Sequence, residues 1–525
     1  MTLAVLAVGG ASGLVPAAHA YDLEVNAETV GQGYQIASGA GTLISRRRLD
    51  QYLGLHLWNL GPKDSYGAPL PRNQVYFDLS LRFDTDFASD CRPDPSGTRP
   101  CVGWAVPSNF GGRDVSQELR NNRFELLYAL AGVRDLGGLV DLELGRQLLI
   151  DQFEFTSFDG LHAAVKTPYH VAAEVWGGLL VNGSAPIDSP IFRPDGTALS
   201  SLSPHDIDYK PTLGVAVRSF GLRDLDTRFS YRRTFSPAQN TTDAERRTGA
   251  VDGTTEEKIS WSARGRLLGG RIVPWAGLRY NVLVGVFDVI QGGARFVISK
   301  RHSLQVEYVY SYPTFDGDSI WNVFARRQFD DIRASYDLRV GRLRAYARGL
   351  VRSFHDVAET TDRVDSTLPP PNPGGPRGRL DYGGNLGGRV EVPGGYVRVD
   401  SYLETGYGGT RVGVDAGTRM QVYRDFIAVE GRLTYVNFRN DVRPIDSGNS
   451  FGFQVGARAA LGRGILLHAL LEDNFNRFYR SQFRFYLVFD FSFLLSPRGF
   501  AQAVPPGIGP GLGQFANPFG TGRGI

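Results

Sequence analysis

The sequence predicts an all-β chain: a single large antiparallel transmembrane β-barrel of about 22 strands, with about 18–20 as the alternative count. Three observations carry this. The stretch Ser481 to Leu495 places Phe483, Phe485, Leu487, Phe489, Phe491 and Phe493 on one face of an extended strand, and Arg484, Tyr486, Val488, Asp490 and Ser492 on the other. A soluble antiparallel sheet also alternates, but an almost purely aromatic face of about ten residues is long enough to cross a membrane when tilted. Along the rest of the chain, tight Gly, Pro or Asp turns alternate with much longer connections, the pattern of a barrel with short turns on one side and long loops on the other. Beyond residue 20 there is no run of about 18 consecutive apolar residues, which excludes helical spans. Barrel strands escape such a scan because every second residue faces the lumen.

Met1 to Ala20 is apolar and small and ends in Ala18-His19-Ala20, the form of a secretory signal peptide, so the mature chain is expected to begin near Tyr21. No Lys or Arg precedes the apolar run, which places the true start upstream of Met1 as an alternative. The expected organisation is 1–20 signal peptide, 21–495 barrel and 496–525 a disordered Gly/Pro-rich periplasmic tail. With 65 Gly and few long periodic helical segments, the composition suits an all-β protein. The net charge of +3 is too small to point to nucleic acid. Cys91 and Cys101 enclose a turn-rich stretch, and in an exported chain such a pair reads as a disulfide closing a small loop. No metal ligand set accompanies it, and neither a metal nor a cofactor is expected.

The short connections are Asp135 to Gly138, Thr167-Pro168, Gly221 to Asp224, Leu268 to Gly270, Lys300 to His302, Gly341-Arg342, Pro393 to Gly395, Arg424-Asp425 and Gly462 to Gly464. The long ones are Ser89 to Asn121, Asn182 to Asp208, Ser236 to Thr254, Phe315 to Arg327, Asp356 to Gly378 and Asn440 to Gly448. Leu23 to Ser38 and Leu43 to Leu60 read as the first two strands. The connection Gly61 to Asn73 is long for the short-turn side, and if the first segment is instead an extension the count falls to about 20.

Alternation within the strands makes the interior readable. Tyr76, Asp78, Ser80, Arg82 and Asp84 are set inward against Val75, Phe77, Leu79, Leu81 and Phe83. The same rule turns Arg228, Arg232, Arg333, Ser335, Asp337, Arg339, Arg398, Asp400, Tyr402, Glu404, Arg411, Asp415, Arg419, Glu430, Arg432 and Thr434 inward. Arg344, Arg348 and Arg352 keep one face because their spacings are even. One reading pairs these charges across strands as hydrated filling. The other makes Arg344, Arg348 and Arg352 a vertical ladder facing carboxylates elsewhere on the wall, so that a solute crosses a transverse field with mild anion preference.

The terminal strand resembles the aromatic C-terminal strand that bacterial outer-membrane proteins present to their assembly machinery. Leu144-Gly145-Arg146-Gln147 followed by Ser157-Phe158-Asp159-Gly160 resembles porin-type exporters related to the alginate-export family. That resemblance, over under a tenth of the chain, implies Arg146 and Asp159 at the channel wall or constriction. Alternation sets Arg146 with Leu142 and Leu144, so an inner-wall position requires a bulge at Gly145 or a place at the rim.

Chemistry is less well supported. Gly448-Asn449-Ser450-Phe451-Gly452 has a nucleophile-elbow spacing but opens a strand, not a strand-to-helix turn. His468 with Glu472, or His162 with His170, are the imaginable acid/base pairs. Asp316-Gly317-Asp318-Ser319 is too short for an EF-hand loop, with Trp321 and Phe324 beside it. The expectation is a non-enzymatic, porin-like channel in a bacterial outer membrane, in contact with lipid and lipopolysaccharide and passing a small polar solute. The alternative is a closed barrel, blocked by a loop such as Ser89 to Asn121, that serves adhesion or surface display.

Overall fold

The computed structural model describes residues 21–38, 41–60, 72–86, 123–153, 155–181, 210–235, 254–312, 328–355, 380–406, 409–424, 426–439, 447–462, 464–477 and 479–495. The leader, Cys91 and Cys101, the 316–319 stretch with Trp321 and Phe324, the 89–121 loop and the tail lie outside them. The strands are β1 (Asp22–Ser38), β2 (Gly41–Trp58), β3 (Gln74–Asp86), β4 (Arg123–Leu136), β5 (Val140–Ile150), β6 (Phe155–Lys166), β7 (Val171–Leu180) and β8 (Pro211–Ser219). There follow β9 (Leu225–Phe235), β10 (Thr254–Gly265), β11 (Ile272–Asn281), β12 (Val286–Val297), β13 (His302–Ser311), β14 (Phe329–Val340) and β15 (Leu343–Phe354). The last are β16 (Leu380–Val392), β17 (Gly395–Gly406), β18 (Gly409–Tyr423), β19 (Ile427–Arg439), β20 (Gly448–Gly462), β21 (Ile465–Asn476) and β22 (Ser481–Leu495).

These form one 22-stranded sheet in which chain neighbours pair antiparallel. It closes where β1 meets β22, from Leu23 opposite Leu495 to Ala37 opposite Ser481. The first segment is therefore a wall strand and not an extension, and the count of about 20 is set aside. Closure leaves neither end strand with an open edge, as a membrane span requires. Phe483, Phe485, Leu487, Phe489 and Phe493 are all exposed on the outer face, as are Phe77, Phe229, Ile332, Val399 and Leu433 on other strands. Tyr76, Ser80 and Arg82 on the other face of β3 are buried.

Tight turns hold one end. Gly138 N donates to Asp135 O at 2.8 Å, and Lys166 Nζ clamps that turn through Asp135 at 2.6 Å and Asp141 at 2.8 Å. At the other end the six long connections expected from the sequence are joined by five short ones. The connections 39–40, 151–154, 282–285, 407–408 and 477–480 are short. Two to four residues suffice to reverse neighbouring antiparallel strands.

Large inward rings lie on glycines. Tyr76 is opposite Gly132, Trp176 opposite Gly214, Trp275 opposite Gly293, Tyr346 opposite Gly387 and Tyr402 opposite Gly413. A methyl group at any of these glycines would overlap the ring across from it. Each ring therefore lies flat on the wall, which leaves room at the centre.

Candidate functional site on the inner wall

Antiparallel register turns separate inward arginines into one row. Arg339 is opposite Arg344, Arg344 opposite Arg389, and Arg389 opposite Arg398. Past Gly417 the row reaches Arg432. Like charges directly opposed in a sheet are destabilising, so the row exists only where carboxylates or water offset it. Glu391 accepts from Arg389 Nε at 2.8 Å and lies 3.9 Å from Arg344 Nη2. Arg398 Nε lies 2.9 Å from Asp400 and its Nη2 2.9 Å from Asp415. Asp415 also accepts from Arg432, and from the Thr434 hydroxyl at 2.8 Å. Arg389 is stacked on Tyr396 at 3.7 Å, which orients its guanidinium along the wall.

The predicted ladder Arg344, Arg348, Arg352 does share this inner face with Arg333 and Arg339. Its members differ in state. Fully buried Asp331 lies 2.8 Å from both Arg352 and Arg333, so one carboxylate offsets part of the charge of the two arginines there. Arg348 is exposed, with its guanidinium 4.6 Å from the Tyr346 ring, and makes no ion pair among the described residues. Arg344 is 59% exposed. Tyr346 in turn donates its hydroxyl to Asp400. The ladder thus meets the row at Arg344.

A second arc carries the opposite sign. Glu28 on β1 is opposite Asp490 on β22, and Asp50 on β2 is opposite Asp84 on β3. Arg48 and Arg82 bridge the second pair, at 3.1 Å from Asp50 and 3.1 Å from Asp84 respectively. Arg82 also reaches Glu125 at 3.3 Å. Opposed carboxylates thus lie on one arc, partly offset by Arg48 and Arg82, and opposed arginines, partly offset by Glu391, Asp400 and Asp415, lie on another.

The β5–β6 connection folds inward. Arg279 Nη1 on β11 donates to Phe153 O at 2.7 Å, although β7, β8, β9 and β10 stand between β6 and β11. The Phe153 ring covers Gly277, Asp151 lies 4.0 Å from Arg228 on β9, and Arg232 donates to Thr156. Beneath it lies a small buried core of Phe158, Trp176 and Ala216 with Leu149 packed against it. The expectation that residues 89–121 block the interior falls outside the described residues.

The resemblance implies Arg146 and Asp159 at the channel wall or constriction. They are direct partners in an unshifted β5–β6 register, joined by bonds of 2.7 and 2.8 Å, on the outward face shared by exposed Leu144 and Leu161. Gly145 takes φ +127° without shifting that register, so the pair keeps the alternation face of Leu144 and Leu161 where the hairpin begins to turn inward. The inward members of the same motif are Gln147 and Phe158, both buried.

The imagined acid/base pairs do not assemble. His468 lies 2.9 Å from Glu430 across the sheet, with Arg458 3.5 Å from the same carboxylate, and Glu472 lies 3.7 Å from Arg484. His162 lies 3.2 Å from Glu143, while His170 sits in the β7 turn beside Phe220 O. Gly448 to Gly452 lies within β20.

No protein-family model matches the chain, and no curated protein does. Among solved structures it is similar to OccAB2 of Acinetobacter baumannii, with 8% identity over 90% of this chain and 98% of that one at a TM-score of 0.42. It is also similar to OccK5 (OpdH) of Pseudomonas aeruginosa, with 9% identity over 90% and 98% at 0.41. A BenF-like porin from Pseudomonas fluorescens Pf-5 gives 9% identity over 90% and 99% at 0.40. No residue role or substrate is carried from them to this chain. None of them supports the alginate-export resemblance, which rests on Leu144–Gln147 and Ser157–Gly160 alone.

Proposed function

We propose that this chain is a channel of the bacterial outer membrane that passes small hydrophilic solutes through a charged, arginine-rich lumen, with a mild preference for anions. The observation that carries the reading is the row Arg339, Arg344, Arg389, Arg398 across four consecutive strands of a closed barrel. A sheet has no structural need for four opposed guanidinium groups, since any polar pair would keep the wall hydrated at less cost. Planar, permanently charged groups that keep spare donors suit transient contact with carboxylate or phosphate. The opposed carboxylates on β22 to β3 add a transverse field that aligns the solute as it passes. Phe483 to Leu495 supplies the terminal signal for barrel assembly, and the outer aromatic belt meets lipid and lipopolysaccharide.

Liposome swelling tests this. Vesicles containing the refolded barrel are expected to admit small sugars and short carboxylates and to exclude large dextrans, with rates falling steeply as solute size rises. Vesicles that admit neither class would refute the open channel and leave the surface-display reading.

A further inference from the structure

We propose that a cleft at the short-turn rim, between the β8–β9 turn and the end of β10, binds a phosphoethanolamine group carried by a phospholipid of the periplasmic leaflet. The cleft has a volume of about 310 Å³ and is lined by both signs of charge, Arg223, Arg264 and Arg266 with Asp224 and Asp226. Asp226 and Arg264 are direct partners in the β9–β10 register. Even so, none of the five exposed side chains makes an ion pair or a hydrogen bond among the described residues. The backbone around them is fixed. Arg266 N donates to Asp224 O at 2.9 Å, and Phe220 N to His170 O at 2.7 Å. The Ser219 hydroxyl accepts from Thr227 N at 2.9 Å and donates to Leu225 O at 3.2 Å. The walls are thus preformed, and the charged ends keep their full bonding capacity for a ligand.

The mixed lining selects the chemistry. Two carboxylates repel a simple anion, and three guanidinium groups repel a simple cation. A ligand that carries both signs a short distance apart satisfies the whole set. Phosphate oxygens accept from planar guanidinium donors, and a primary ammonium offers three N–H donors to the carboxylates. Phosphoethanolamine holds these two groups on a two-carbon link.

The surroundings favour a lipid as its carrier. Leu222 and Leu225 border the cleft, and Phe220, Leu267 and Leu268 stand on the same two turns, all of them exposed. Large apolar side chains gathered at one stretch of rim belong in the boundary between headgroups and acyl chains rather than in water. A lane for an acyl chain rises from the same place. On the outer face Gly265 is opposite Leu225 and Ala263 opposite Thr227, and Ala263 also faces Ala276 on β11. Above them Trp261 stands opposite Phe229, about 13 Å up the strand from Leu225, and donates its Nε1–H to Thr227 Oγ1 at 3.2 Å. The small residues leave a shallow channel in the lipid face that ends at the cleft. Asp226 and Arg264 alternate onto the inner side of the wall, so the cleft wraps the lower edge of the sheet, with the headgroup beneath the rim and the chain outside it. The site rests on the outer-membrane location and not on the open channel.

The test is a lipid competition. The full-length barrel, refolded in detergent, is offered equal amounts of phosphatidylethanolamine, phosphatidylglycerol and phosphatidylcholine with the same acyl chains, and the lipid that stays bound is read by native mass spectrometry. Phosphatidylglycerol lacks the ammonium, and phosphatidylcholine lacks its N–H donors. One phosphatidylethanolamine per barrel is expected, favoured about tenfold over each of the others, the discrimination of one charge-assisted hydrogen bond at a partly exposed site. Asp224→Asn with Asp226→Asn should abolish that preference, and Arg264→Gln with Arg266→Gln should weaken retention about tenfold. Arg301→Gln with Arg342→Gln, on other short turns of the same rim, should change neither. Heat-modifiable gel mobility checks that each variant is folded, and the competition on the parent barrel decides the case where one is not. Excess glycerophosphoethanolamine should leave the lipid in place; its displacing the lipid would assign the cleft to a free solute and overturn the lipid source. Equal retention of the three lipids, or a preference that survives both paired substitutions in the cleft, overturns the site.

Discussion

Replacing Asp415 with Asn separates the two roles assigned to the arginine row, because this carboxylate both holds the wall together and offsets its charge. Asp415 is mostly buried and accepts from Arg398 at 2.9 Å, from Arg432 and from Thr434 at 2.8 Å. Asparagine keeps the volume and one acceptor but removes the charge. Each charge-assisted bond weakens by about 1 kcal/mol when its acceptor becomes neutral. Two arginines are involved, which sets an upper figure of about 2 kcal/mol. The side chains of Arg398 and Arg432 are 28% and 40% exposed, and Arg398 keeps Asp400 at 2.9 Å, so solvent takes up part of the loss. The expected destabilisation is about 1–1.5 kcal/mol. Urea titration of the refolded barrel in lipid vesicles, followed by tryptophan fluorescence, measures it. Reversal potential under a salt gradient is expected to move toward anions in the same variant, since one negative charge has left the row. Unchanged stability together with an unchanged potential would refute the idea that Asp415 anchors and tempers this wall.

Other substitutions probe separate links. Gly413→Ala is expected to cost about 1–3 kcal/mol by displacing the Tyr402 ring, and much of that cost should vanish in the Tyr402→Ala background, which a double-mutant cycle would read. Phe489→Arg, on the lipid face near the middle of β22, should cost about 2–4 kcal/mol and slow insertion into vesicles. Tyr486→Arg, one face over in the lumen, should insert almost as the parent does. Lys166→Ala removes the clamp on Asp135 and Asp141 and should cost about 1 kcal/mol, with the difference shrinking as salt is raised.

Much of this fold is legible in the sequence because the period of two is written into each strand. Phe483 to Phe493 and Val75 to Phe83 declare their outer faces without help, and the nine tight turns fix one rim of the barrel. Parity then requires β1 to meet β22. The arginine row is partly legible too. Counting outward from the turn at Gly341-Arg342 sets Arg339 opposite Arg344, and counting from Pro393-Gly394 sets Arg389 opposite Arg398. Joining the two halves needs the register between β15 and β16, which are linked through residues 356–379 and so carry no tight-turn signal. The inward fold of the β5–β6 connection is hidden for a different reason. Gly145, Gly160 and Gly178 are unremarkable glycines until three registers align them, and Phe153 and Arg279 are far apart in sequence. The Gly-Arg-Gln and Asp-Gly elements did mark a special place, since Gly145 and Gly160 pair beneath the segment that turns inward.

Single-channel recording of the refolded barrel in a planar bilayer, with reversal potentials under a salt gradient, tests the central claim most directly. The account predicts stable conductance steps with mild anion selectivity. It further predicts that neutralising Arg344, Arg389 and Arg398 together abolishes that selectivity while the steps persist. A heat-modifiable, β-rich protein that gives no steps, or steps whose selectivity is unmoved by losing the row, would contradict it.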